Sequence, residues 1–270
     1  MLLLTALACK APVEAPSDLD DLTKYMYANF NGDLEDGPDA MVAGMGQLED
    51  YLLTLDMAAD TDDRAVSLTP LTEDFFNGAV GPSNLDTTVQ VSVAVSGQTG
   101  MNMATEVGLI MEPNQVCIAS DTTAYHAVTV LSGGDCFEAG DCELMETSNE
   151  FLIDSISDGW IDSFKDYRWV EMEDGRMAVV AREWMPEVAP ALSGDNSWDQ
   201  RFALVAWIPT QDGNSTMRFY ALWSSVTTVL SDDAYATLVK NALDEYYVNA
   251  ETFADGGDCD NDRDREYDRE

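Results

Sequence analysis

One histidine, five cysteines and 51 acidic side chains are the groups in this 270-residue chain whose types could do chemistry. Any histidine-based mechanism must pass through His126, which lies in the alternating run AYHAVTVL, in phase with Val128 and Val130. That phase puts it on an apolar strand face. A Ser-His-Asp or Cys-His arrangement also needs an activated nucleophile, and the sequence has no G-x-S-x-G elbow. Zinc hydrolases draw on several histidines. The expectation is therefore a histidine packed in a core or cavity, with no catalytic residue, metal site or cofactor assigned.

The carboxylates give little direction, because with 51 of them many pairs lie close by chance. A carboxyl would stand out only if buried, and Glu171 and Glu183 are the two best placed for that. Asp258, Asp260, Asp262 and Asp264 alternate as in calcium loops. However, the sixth position of such a loop is Arg263 instead of Gly and the twelfth is Arg269 instead of Glu, so a solvated acidic tail is expected. No glycine-rich phosphate cradle precedes a helix.

The net charge is −38, with only 13 basic residues. Residues 255–270 hold eight acids and three arginines, which leaves −33 spread over the body. Spread acidity of this kind favours solvation, as a salty habitat would require. Nucleic acid is excluded as a partner, since counterion release at phosphates needs clustered Lys and Arg.

Among the cysteines, Cys136 and Cys142 enclose Phe-Glu-Ala-Gly-Asp and are expected to bridge that loop. The C-x₂-C spacing of a structural metal site is absent. Cys117 sits in an apolar run and reads as a buried thiol. Its pairing and that of Cys259, in the acidic tail, stay unassigned.

The opening MLLLTALAC, with Pro12 and Pro16 following, is too short to span a bilayer, which takes about 20 residues. Ala6, Leu7, Ala8 and Cys9 resemble the end of a bacterial lipoprotein signal, although the family has Leu where this chain has Ala6, and no basic n-region precedes it. A start codon assigned too far downstream would account for the second departure. The resemblance implies lipidation of Cys9, export, membrane attachment through the lipid, and a place in the cell envelope. Export in turn permits disulfides.

These groups must be positioned by a recognisable series of elements. Residues 1–17 read as signal remnant and tether, 18–254 as one α+β domain, and 255–270 as a disordered tail. Ser17 caps a helix carrying Leu19, Leu22, Tyr25, Met26 and Phe30, and a second helix runs from about Pro38 to Leu55. Residues 56–88 read as irregular connections. Thr88–Val95 and Ala124–Leu131 alternate as strands, and Glu106–Met111 and Val116–Ser120 are shorter candidates.

Asp158–Lys165 reads as a turn or short helix. Tyr167–Trp184 reads as a hairpin closed by a two-residue type I′ turn at Asp174-Gly175. That register opposes Glu173 to Arg176 and Tyr167 to Arg182 as ordinary cross-strand pairs. A second hairpin joins Arg201–Pro209 to Thr216–Ser224, and consecutive hairpins predict an antiparallel sheet. Ser231 then caps a long amphipathic helix that Gly256-Gly257 ends.

The predicted fold is α+β: an antiparallel, curved β-sheet with N-terminal helices and a long C-terminal helix packed on it. This order over residues 88–254 resembles the helix-grip arrangement of START-like ligand-binding domains, whose sheet wraps a C-terminal helix around an apolar cavity. The departure is the lack of a helix pair after the first strand. The favoured function is a non-enzymatic module binding a small apolar ligand or an envelope protein. Its candidate lining is Trp169, Trp184, Trp207, Phe219 and Trp223 together with His126, for each of which plain core packing is the alternative. Two other functions remain open: a hydrolase using carboxylates alone, marked by two carboxyls in one cleft with one desolvated, and a structural envelope protein.

Overall fold

The computed structural model describes residues 12–32, 37–72, 91–120, 122–154, 158–192, 196–227 and 230–256. Cys9, Cys259, the acidic tail and the start of the strand expected at Thr88 lie outside them. Two N-terminal helices, α1 (Leu19–Ala28) and α2 (Pro38–Leu52), precede a short helix α3 (Thr61–Arg64) and strand β1 (Ala65–Ser67). Strand β2 (Val91–Thr99), helix α4 (Met103–Met111), strand β3 (Thr123–Ser132) and the short helix α5 (Gly134–Glu138) follow. Then come β4 (Leu144–Ile153), β5 (Gly159–Glu171), β6 (Met177–Trp184), β7 (Ala189–Pro190), β8 (Ser197–Pro209), β9 (Thr216–Thr227) and the last helix α6 (Asp232–Ala254).

The strands form one curved antiparallel sheet in the order β1-β2-β9-β8-β6-β5-β4-β3, with β7 paired to β8. The α+β class and the C-terminal helix are as expected. Both faces of the sheet are covered. On one, α1 and α2 bury Leu22, Met26, Met41, Met45 and Leu48 against Phe202, Leu204, Phe219, Ala221 and Trp223. On the other, α6 lays Tyr235, Val239, Leu243 and Tyr247 over Val93, Val95, Val205 and Leu222.

Gly97 allows the closest approach. A Cβ there would lie 2.5 Å from the Tyr247 ring, so the glycine lets α6 lie flat on β2. The Tyr247 hydroxyl donates to the Val95 carbonyl at 3.1 Å. Asn249 Nδ2 donates to Ala119 O at 2.7 Å, fastening the far end of the helix. Asp18, not Ser17, caps α1, its carboxylate accepting from the Asp20 and Asp21 amides. Ser231 caps α6 as expected.

Several expected elements differ. Glu106–Met111 is part of α4, because Asn102 caps it (its side chain accepts from Thr105 N at 3.0 Å) and Glu106, Val107 and Ile110 share its inner side. Its β-branched residues suggested a strand, but the cap and the helical spacing prevail. Val116–Ser120 is a turn. The helix and turn therefore stand after the first long strand, where the helix-grip resemblance had lacked any helix. Of Asp158–Lys165, the residues from Gly159 on open β5; with both sheet faces covered, Ser163 and Lys165 point inward and mask the alternation.

The largest correction is at the hairpin. Glu171 pairs with Met177, Gly175 N donates to Met172 O, and Met172 N donates to Arg176 O. Within this loop only Gly175 has positive φ, at 85°. A type I′ turn needs positive φ at both central residues, so the loop is instead three residues, Glu173–Gly175, with the glycine as a bulge.

The pairing consequently moves by one residue. Arg182 faces Asp166 rather than Tyr167, and Arg176 pairs with Glu49 and Asp174. A one-residue slip turns a strand's side chains to the other face. Trp169 and Trp184, which the I′ register would have put on one face, lie on opposite faces.

Candidate functional site

That register assembles the site. Lys165 is directly opposite Glu183 on the α6 side of the sheet, and Arg201 and Tyr220 reach the same carboxylate from β8 and β9. Arg201 Nε donates to Glu183 Oε1 at 2.7 Å, and the Tyr220 hydroxyl donates to Oε2 at 3.2 Å while accepting from Arg201 Nη2 at 2.9 Å. Lys165 Nζ stands 4.0 Å from Oε2. It also sits over the rings of Tyr167 and Trp207, at 5.3 Å and 5.8 Å from their centroids. Farther along, His126 Nε2 and Asn149 Oδ1 are 3.5 Å apart. Six neighbouring strands, β3, β4, β5, β6, β8 and β9, thus each contribute one polar side chain to a belt across the sheet.

The belt borders a cavity of about 570 Å³ between the sheet and α6. Leu222, Val226, Phe151 and Ile153 form its sheet wall, and Tyr235, Leu238, Val239, Ala242, Leu243 and Tyr246 form its helix wall. Gln115, Ser120 and Thr123 border it from the turn before β3 and the start of that strand, and the exposed Asp154 lies at the rim. The Tyr235 hydroxyl is tied to Ser224 Oγ at 2.9 Å. A concave, mainly apolar space with a few convergent polar groups is what small-molecule sites share.

The charges in the belt are set by one another. Burial alone would raise the Glu183 carboxyl, but Arg201 and Lys165 overcome that and hold it down, at about 2. Burial, then the neighbouring Lys165, hold His126 down at about 4, against the opposing hydrogen bond to Asn149, so the ring is neutral near pH 7. Burial also lowers Lys165, with Glu183 opposing it. Arg201 is lifted by Glu183 against its own burial. The belt therefore carries two cations, one anion and a neutral imidazole.

Of the aromatic residues singled out in the sequence, none lines this cavity; His126 does. Trp207 and Trp169 are on the same side of the sheet but within packing: Trp207 against Tyr167, and Trp169 stacked on Phe137, with its indole N–H donating to Phe137 O at 2.9 Å. Trp184, Phe219 and Trp223 belong to the opposite layer, under α1 and α2. Glu183 is buried as anticipated, whereas Glu171 is exposed.

Lys165, Arg201 and Tyr220 were not singled out. A signal for them does exist: Arg201 and Tyr220 occupy the alternation phase of the inward residues Ala203 and Leu222, where charged and polar side chains need a reason. Cys136 and Cys142 form the expected disulfide, with Cα atoms 5.2 Å apart. Cys117 is disulfide-bonded as well, so it is not the buried thiol expected. No helix among the described residues is long and apolar enough to cross a membrane.

No protein-family model and no curated protein matches the chain. Among solved structures, several align over about three fifths of the chain. A START superfamily protein from Mycobacterium smegmatis aligns with a TM-score of 0.38 at 10% identity, covering 61% of this chain and 97% of that one. A STAR-related lipid transfer protein from Xanthomonas axonopodis aligns at 0.41 and 11%, covering 62% and 90%. An aromatase/cyclase from Streptomyces sp. R1128 aligns at 0.37 and 10%, covering 62% and 92%. Likeness at this level carries nothing about function, which rests on the cavity's own residues.

Proposed function

We propose that the chain is a binding module for a small, mainly apolar ligand held between the sheet and α6. The observation that supports it most is the cavity of about 570 Å³, walled by apolar side chains and bordered on one side by the polar belt. A space of that size matches the range of ligand pockets, about 300–1,000 Å³. The carboxylate-only hydrolase has less support. Its mark is two carboxyls in one cleft with one desolvated; buried Glu183 and rim Asp154 share the cavity, but Glu183 is held ionised with both oxygens engaged by Arg201 and Tyr220.

The test is a fluorescence titration with N-phenylnaphthylamine, a neutral apolar probe that brightens on leaving water. Wild type is expected to bind it saturably at one site. Ala242→Trp, which fills the space from α6, is expected to weaken binding at least tenfold while unfolding at a urea concentration near that of wild type. Failure of the wild type to bind would refute the reading.

Attachment to the cell envelope through Cys9 belongs to the same proposal. The signal-like residues before Cys9 support it, and the Cys136–Cys142 bridge supports export, since disulfides persist in oxidising compartments. Cys9→Ser should move the expressed protein from the membrane fraction to the soluble fraction. An unchanged distribution would remove the anchor.

A further inference from the structure

Within the belt, two cations share one carboxylate. Glu183 accepts from Arg201 Nε and from Tyr220, leaving Lys165 at 4.0 Å, beyond hydrogen-bond distance. Among the described residues, no hydrogen-bond acceptor meets Lys165 Nζ or Arg201 Nη1, and both side chains border the cavity. Protein donors facing a mainly apolar space call for an acceptor, and since the cavity's other carboxylate, Asp154, is exposed at the rim and off the belt, the acceptor that also cancels the belt's surplus positive charge is an anion. This surplus sits inside a chain of net charge −38, where attraction of anions from outside cannot account for it.

We propose that the cavity's ligand is a carboxylic acid, its carboxylate on Lys165 Nζ and Arg201 Nη1 and its apolar part along Val239, Ala242 and Leu243 of α6. This rests on the binding function proposed above and names the class of molecule bound. With the acid in place, two cations face two anions. A neutral alcohol of the same length would fill the apolar space equally well but leave the belt with one positive charge uncompensated. Neutral His126, beside Asn149, adds a polar contact without altering that balance.

Displacement of N-phenylnaphthylamine by dodecanoate and by dodecanol tests this at neutral pH. Wild type is expected to release the probe at a dodecanoate concentration at least tenfold below that needed of dodecanol. Lys165→Met should bring the two displacing concentrations together, and Lys165→Arg should restore most of the difference. Equal displacement by the two in wild type, or a preference that survives Lys165→Met intact, would overturn the carboxylate assignment and leave the binding function standing. Absence of probe binding in wild type would remove both.

Discussion

Glu183 and Lys165 sit opposite each other, yet removing one should not resemble removing the other. Glu183→Ala leaves the half-buried Arg201 and Lys165 without a counter-charge; removal of one partner of a fully buried ion pair costs about 3–5 kcal/mol, and the loss here is expected toward the lower end of that range. Lys165→Met removes a desolvated cation that makes no hydrogen bond and leaves the Glu183–Arg201 pair neutral. Its expected effect on stability is within about 1 kcal/mol, of either sign. Urea unfolding of both variants checks this, and similar losses in the two would contradict the belt as described.

His126 gives a pH signature at the same scale. Its folded value is about 4 against an ordinary 6.5, so the unfolded chain takes up its proton first as pH falls. Stability from this group is complete above pH 6.5 and is lost between there and about 4. Because the ring is partly open to the cavity, the loss is put at about 1–2 kcal/mol, less than the shift alone would give. Glu183 adds a second loss at lower pH, between about 4.5 and 2. His126→Asn should flatten the first interval and spare the second. An unchanged urea midpoint profile for that variant would show that the imidazole is not held neutral.

At the scale of elements, the long hairpins and the last helix were legible because each announces itself locally: alternation on both sides of Thr210–Ser215, and Ser231 ahead of a continuous apolar stripe. The composition of the cavity was not. It depends on one loop residue, because the bulge at Gly175 rather than a two-residue turn decides which face Glu183 occupies, and Asp-Gly is compatible with both. The aromatic residues drew attention by size, yet large side chains on a doubly covered sheet are mostly consumed by packing. The residues that border the space are identifiable only once the register is known. Gly97→Ala tests the helix seat: the added methyl meets the Tyr247 ring, and an overpacked contact of this kind costs about 1–3 kcal/mol, readable as a lowered urea midpoint. No change would mean that α6 does not lie as closely on β2 as described.

For the whole molecule, the surplus of acids was legible at once. That surplus also surrounds a cavity whose belt is net positive, an inversion that composition cannot reveal because it concerns three residues brought together from β5, β6 and β8. Self-repulsion of the acidic body should make stability rise with salt, since exposed charges are screened within about 10 Å at 0.1 M and within about 3 Å at 1 M. The buried Glu183–Arg201 pair should be little affected by the same salt, so the Glu183→Ala loss should persist at high concentration. If salt erased that loss, the pair would have to be solvent-exposed.

The binding function is tested most directly by locating a ligand in a crystal of the protein soaked with bromododecane, whose bromine marks its own position by anomalous scattering. A peak is expected in the space between Leu243 of α6 and the belt at Arg201, absent from Ala242→Trp crystals. Peaks confined to the molecular surface, with that space empty in wild type, would contradict it.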